Sequence, residues 1–270
     1  MTAHDQQQLQ KLVQAVSSSA KYRQVSPDLI QYIGQRELAI RPSWKAAVKA
    51  TKNKLHQVGG AYQVTKINYA QALAMLRETA GSPTEFRESC RQVMSWHVST
   101  RERLPILEYF YSDILQDVGP IHTVMDLACG LNPLAWPWMP FDEQVQYLAY
   151  DIYADAMHFI QDLIALLSLN GRSDTRDILQ NPPTEPIDLA LILKTLPCLE
   201  QLHKSAAVTL LDATKANYLI ISYPVTSLGG RRKGMVDNYD AHFRSLMAGR
   251  PWSAKRYEFS TELAFLVKTT

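Results

Sequence analysis

Five short apolar runs in the second half of the chain constrain its fold more than any other feature. They are TVMDLA (123–128), VQYLAYD (145–151), DLALIL (188–193), YLIISYP (218–224) and ELAFLVK (262–268). Each is rich in β-branched or aromatic residues and is bounded by turn residues, as buried strands are. Helix-like stretches lie between them, notably 153–169 and 199–213. This alternation predicts an α/β fold, a parallel sheet covered by helices, with the last run as an added edge strand.

The first 115 residues read as helical. Ser26-Pro27-Asp28 has the form of an N-cap followed by Pro at the first helical position. Trp44, Val48, Thr51 and Leu55 recur at the spacing of one buried helical stripe, and Lys45, Lys49 and Lys52 form a basic line beside it. Gly59-Gly60 is expected to end that helix. Ser82–Glu85 and Ser99–Glu102 both fit the capping box. The second is expected to open a helix over 100–116 with Leu104, Leu107, Tyr111 and Ile114 on one face and Pro105 in its early turns. That helix joins the two parts, so the division is expected at 1–110 and 111–270.

Charge divides the chain in the same place. The net charge of +2 conceals a front, residues 1–60, with nine Lys/Arg against three Asp/Glu, and a back, 111–270, with thirteen against eighteen. A basic front on a mildly acidic back suggests a polyanion-binding part and a separate working domain. With 46% hydrophobic and 20% charged residues the composition is that of an ordinary globular protein. No apolar run approaches the ~18–20 residues of a membrane span. The polar start MTAHDQQQLQ has no signal-like core. Cys90, Cys129 and Cys198 are widely spaced, show no metal-binding pattern and suit a reducing cytosol, so a cytoplasmic location is expected. They read as small packing residues, and nothing demands more than a monomer. Trp136 and Trp138 read as core or rim aromatics, with a lid over a substrate base as the other reading.

The chemistry concentrates at strand ends, where doubly wound sheets bind ligands. Asp126 lies at the end of the first run, before the small-residue turn Ala128-Cys129-Gly130. Asp151 ends the next run, where a carboxylate can accept hydrogen bonds from both ribose hydroxyls. Asp177 closes the third strand region and can contact an adenine amino group. Three such acids suit a nucleoside cofactor that carries positive charge. They suit a dinucleotide's pyrophosphate poorly, since that needs a Gly-rich turn at a helix N-terminus.

Longer strings are more specific. DLACGLNPLAWPWM, HVSTRERLP (97–105), LILKTLPCLE (191–200) and SLGGRRKGM (227–235) together resemble the aminoglycoside-resistance 16S ribosomal RNA guanine-N7 methyltransferases, and among them the producer-type enzymes typified by the sisomicin-gentamicin resistance methylase. The resemblance runs from about Lys21 to the C-terminus, with the motifs in the same order. It implies a Rossmann-like class I S-adenosylmethionine-dependent methyltransferase domain behind a basic helical domain that binds the ribosome. By motif it implies that His97, Val98, Ser99, Thr100 and Arg103 approach S-adenosylmethionine from a helix start, Arg103 taking the methionine carboxylate. Ala128 and Gly130 would line the first turn, Asp151 hold the ribose, and Asp177 and Ile178 flank the adenine. Leu193, Leu202 and Tyr62 complete the implied cofactor wall.

The resemblance also implies the reaction: methyl transfer to a guanine N7 in the decoding A-site of the assembled 30S subunit, giving resistance to 4,6-disubstituted deoxystreptamine drugs. Guanine N7 has a free lone pair and no proton to lose, so no general base and no metal are expected; alignment and removal of water would suffice. Lys194, Arg231 and Lys233 are candidates to grip RNA around a flipped base. Lys21, Arg23, Lys45, Lys49, Lys52 and Lys54 are candidates for phosphate contacts on 16S rRNA. A methyltransferase of another RNA or a small molecule, and a non-catalytic RNA-binding relative, remain the alternatives.

Overall fold

The computed structural model describes residues 2–60, 67–226 and 234–269. Three helices come first: α1 (Ala3–Ser17), α2 (Pro27–Ile40) and α3 (Trp44–Leu55). Pro27 starts α2, where its missing N–H costs nothing. Ser43 caps α3 by accepting the Ala46 N–H. A wide π-helical turn, His56–Gly60, follows α3, so Gly59 belongs to a further turn and does not stop the helix at once. Leu12, Val16, Leu29, Ile30, Ile33 and Leu55 pack these helices into a core of their own.

Four helices follow: α4 (Tyr69–Thr79), α5 (Pro83–Met94), α6 (Val98–Arg103) and α7 (Leu107–Leu115). The expected helix over 100–116 is broken. A 3-10 turn, Leu104–Ile106, separates α6 from α7, because Pro105 has no N–H to continue the ladder. Neither predicted capping box closes. Ser82 stands at the N-cap of α5 without a side-chain bond, and α6 starts one residue before Ser99, with His97 as N-cap. Glu102 reaches instead to Lys194, at 2.8 Å.

The sheet has seven strands in the order β3-β2-β1-β4-β5-β7-β6. β1 (Thr123–Leu127), β2 (Gln146–Asp151), β3 (Gly171–Thr175), β4 (Ile187–Leu193) and β5 (Ala216–Pro224) are parallel; β6 (Ser253–Glu258) and β7 (Glu262–Lys268) join antiparallel. The last apolar run is therefore not the edge. β7 lies between β5 and β6, both of its faces covered, and the polar SAKRYE segment forms the edge. β3 at the other edge is similarly polar, GRSDT. Edge strands need little apolar surface, so neither showed as an apolar run.

Alternate residues of each buried strand face opposite layers. Val124, Tyr147, Leu189 and Ile220 point toward α4, α5, α7 and α8 (Ala154–Leu166). Met125, Leu148, Ala190 and Ile221 point toward α10 (Ala206–Ala213) and α11 (Met235–Met247). The predicted helix over 199–213 is two pieces, α9 (Leu196–Glu200) and α10. α4, α5 and α7 share one core with the sheet, and α1, α2 and α3 pack around a cluster of their own. No helix among the described residues is long and apolar enough to cross a membrane.

Candidate active site

The carboxyl ends of β1, β2 and β4 open onto one cleft, where ligands of open α/β sheets bind. Its floor is the turn after β1. Ala128 (φ 57°) and Gly130 (φ 52°) both hold left-handed backbone. A side chain at Gly130 would also stand 3.3 Å from the His97 ring, so both backbone and space favour glycine there.

Asp151 caps this turn. Its Oδ2 accepts the Gly130 N–H (2.9 Å) and its Oδ1 the Ile152 N–H (2.6 Å). Burial pushes its pKa up, and those N–H groups pull it back in part. The carboxylate keeps acceptor capacity for a ligand hydroxyl. Asp177 follows β3. Its Oδ1 accepts from the N–H groups of Leu179 (3.0 Å) and Gln180 (3.3 Å). Its Oδ2 is buried and finds no partner among the described residues. Burial again raises the pKa. A buried, unpartnered acceptor on a cleft wall calls for a ligand donor.

Beneath the cleft runs a buried polar network that sequence reasoning did not foresee. Arg103, on α6, donates from Nε (3.2 Å) and Nη2 (2.8 Å) to Glu262, and from Nη1 to Asn132 Oδ1 (2.6 Å). Asn132 also accepts the Tyr111 hydroxyl (2.5 Å) and donates to Asp126 Oδ2 (2.7 Å), which accepts the Tyr147 hydroxyl as well (2.6 Å). Lys194, in left-handed backbone at φ 59°, donates to Ser99 O (3.2 Å) and Glu102, and lies 3.3 Å from Glu262. Burial opposes the Glu262 charge, but Arg103 and Lys194 outweigh it and hold this carboxyl below the usual range. Burial lifts Asp126 to about 6 against its two hydrogen bonds. Burial, aided by the charges of Lys194 and Arg103, lowers His97 to about 4, so its ring is neutral at pH 7.

Most of the expected cofactor residues meet here. His97, Ser99, Thr100 and Arg103 line one wall, Ala128, Gly130 and Asp151 the floor, and Asp177, Ile178, Leu193 and Leu202 the other side. Val98, the first residue of α6, is not among the residues that line the cleft. Tyr62, Arg231 and Lys233 lie outside the described residues. Lys194, expected to grip RNA, is 4% exposed, is tied to two carboxylates and lines the cleft. Lys21, Arg23, Lys45 and Lys49 are exposed, and Lys52 and Lys54 are half-buried. Lys54 donates to Gln201 O (2.9 Å), tying α3 to the end of α9. Trp138 is buried and donates to Glu108 (2.9 Å), and Trp136 packs edge-on against Tyr147; neither lines the cleft.

Sequence reasoning also missed that the front helices build part of the wall. Leu29, Val58 and Gly59 line the cleft, beside Tyr69 and Tyr153. The chain pairs there as strands do: Ser26 N–H donates to Ile152 O (2.7 Å) and Ala154 N–H to Gln24 O (2.8 Å). No local pattern marks Glu262; Asn132 at least lies inside the motif GLNP.

Comparison with known proteins adds to this geometry. Residues 18–266 match the family model described as Ribosomal RNA methyltransferase (FmrO). The chain is 36% identical over 271 residues to the 16S rRNA (guanine(1405)-N(7))-methyltransferase of Micromonospora echinospora, covering 99% of each. To the protein of the same description from Serratia marcescens it is 32% identical over 255 residues, covering 94% of this chain and 96% of that one. The crystal structure of the 16S rRNA methyltransferase RmtF in complex with S-adenosyl-L-homocysteine matches with a TM-score of 0.83 at 30% identity, covering 100% of both chains. The 16S rRNA methylase RmtB matches at 0.80 and 29%, covering 97% of this chain and 98% of that one.

Proposed function

This chain belongs to the FmrO family of ribosomal RNA methyltransferases, and from that premise we propose that it methylates N7 of guanine 1405 of 16S rRNA in the decoding A-site of the assembled 30S subunit. Resistance to 4,6-disubstituted deoxystreptamine aminoglycosides follows from that position. The relatives' descriptions support the base and the atom; the cleft supports the cofactor. The single observation that carries the cofactor reading is the buried, unpartnered Asp177 Oδ2 on the wall of a cleft whose floor presents Asp151 and Arg103. A nucleoside with a charged amino-acid tail needs an acceptor for its base, an acceptor for its ribose and a cation for its carboxylate, and these three residues supply them.

When bound, S-adenosylmethionine supplies an electrophilic methyl group on a sulfonium. The rest falls to the chain. Asp151 orients the ribose, Asp177 and Ile178 the adenine, and Arg103 the carboxylate. His97 stays neutral beside Gly130 and adds no positive charge near the sulfonium. Guanine N7 attacks with its own lone pair, so alignment and exclusion of water carry the rate. The exposed lysines of α3, with Lys21 and Arg23, are proposed to contact rRNA phosphates, as are Arg231 and Lys233.

The test combines purified protein, methyl-labelled S-adenosylmethionine and 30S subunits, with free 16S rRNA and 50S subunits alongside. Borohydride reduction and aniline cleavage then break the chain at N7-methylguanine. One break, at guanine 1405 and from 30S only, is expected. Label without a break moves the reaction to another atom; label on free rRNA alone removes the assembled subunit from the reading.

A further inference from the structure

We propose that Glu262 is a positioning residue for the cofactor, holding the Arg103 guanidinium in the plane from which its remaining N–H groups meet an amino-acid carboxylate. The inference rests on the cofactor reading above and names a residue that does not line the cleft.

The atoms carry the argument. Arg103 has five N–H hydrogens. Glu262 takes one on Nε and one on Nη2, as a side-on fork, and Asn132 takes one on Nη1. One hydrogen is left on each terminal nitrogen, and these are the Arg103 donors that remain for a ligand carboxylate. Glu262 is itself held: its Oε1 accepts the Ser222 hydroxyl (2.6 Å), and its strand β7 is paired on both sides. It also lies between two cations, with Lys194 Nζ 3.3 Å from Oε2. Without its charge, Arg103 and Lys194 repel each other and the guanidinium loses its fork. A ligand carboxylate would then have to order the side chain on binding, which costs affinity.

Calorimetry on wild type, Glu262→Gln and Ser222→Ala separates positioning from support of the fold. S-adenosylhomocysteine is one titrant. 5′-Methylthioadenosine, with the same nucleoside and thioether but no amino-acid tail, is the other. Glu262→Gln is expected to weaken S-adenosylhomocysteine by about tenfold or more and to leave methylthioadenosine within about twofold. Ser222→Ala, which removes the hydroxyl on Oε1 while the Lys194 N–H that it also accepts keeps the Ser222 carbonyl oxygen, is expected to show the same selectivity at about two- to fivefold. Equal losses for both ligands, or unchanged S-adenosylhomocysteine affinity, overturn the proposal. If Glu262→Gln does not fold, Ser222→Ala decides alone. A wild type that binds neither ligand would overturn the cofactor reading instead.

Discussion

His97 and Asp126 respond to acid in opposite directions because burial works against whichever form is charged. His97 falls from 6.5 to about 4 in the fold. Below pH 6.5 the unfolded chain takes up a proton that the folded chain refuses, so stability falls as pH falls, by about 2 kcal/mol from pH 7 to 5. Asp126 rises from 3.8 to about 6. There the folded chain takes the proton first, which returns about 1 kcal/mol over the same interval. From this pair the wild type should therefore lose about 1 kcal/mol net between pH 7 and 5. His97→Gln removes only the unfavourable arm, so its stability relative to wild type should improve by about 2 kcal/mol between pH 7 and 5, measured by urea unfolding at each pH. Parallel behaviour of the two proteins would show that His97 is not held neutral. Asp177→Asn makes a second residue-scale test. The amide oxygen can still accept from Leu179 and Gln180, while an N–H₂ replaces the free Oδ2. S-adenosylhomocysteine binding should weaken about tenfold with the melting temperature nearly kept; undiminished binding would remove Asp177 from the ligand set. Asp126, Asp151 and Asp177 were legible because they sit at strand ends. Glu262 was not, since nothing local distinguishes a buried glutamate that opens an edge-region strand from an exposed one.

The elements were legible where they bury a face. The runs that became β1, β2, β4, β5 and β7 are apolar because neighbours cover them on both sides. β6 escaped notice and β3 showed only as the region before Asp177, because both are edges without an apolar run, and β3 is defined by its backbone. A Cβ at Gly171 would stand 2.4 Å from the Tyr147 carbonyl oxygen, which is backbone and cannot step aside. Gly171→Ala should therefore cost about 1–3 kcal/mol by chemical denaturation. No measurable loss would mean that β3 shifts freely against β2. The break between α6 and α7 has a similar cause. Pro105 was visible, but whether it is absorbed in a first turn or splits a helix depends on where the helix begins. Here α6 starts at Val98, so Pro105 falls too late to be absorbed.

For the whole molecule, the basic front and the cleft are one assembly: Leu29, Val58 and Gly59 line the cleft while α3 exposes Lys45 and Lys49. Replacing Lys45, Lys49 and Lys52 with Glu should lower methylation of 30S subunits by at least about tenfold and flatten its salt dependence. Calorimetric affinity for S-adenosylhomocysteine should stay unchanged, since none of the three lines the cleft. Equal activity in the triple variant would make that face ordinary solvated surface. The sequence by itself determined the α/β class, the basic front and the family, because short apolar runs, charge segregation and motif strings are local properties that survive without coordinates. Only the tertiary structure decided that Lys194 is buried at the cleft against two carboxylates, that β7 is interior to the sheet, and that Glu262 meets Arg103. Those facts depend on which distant segments the sheet order brings together, and pairing across more than a hundred residues leaves no trace in local spacing.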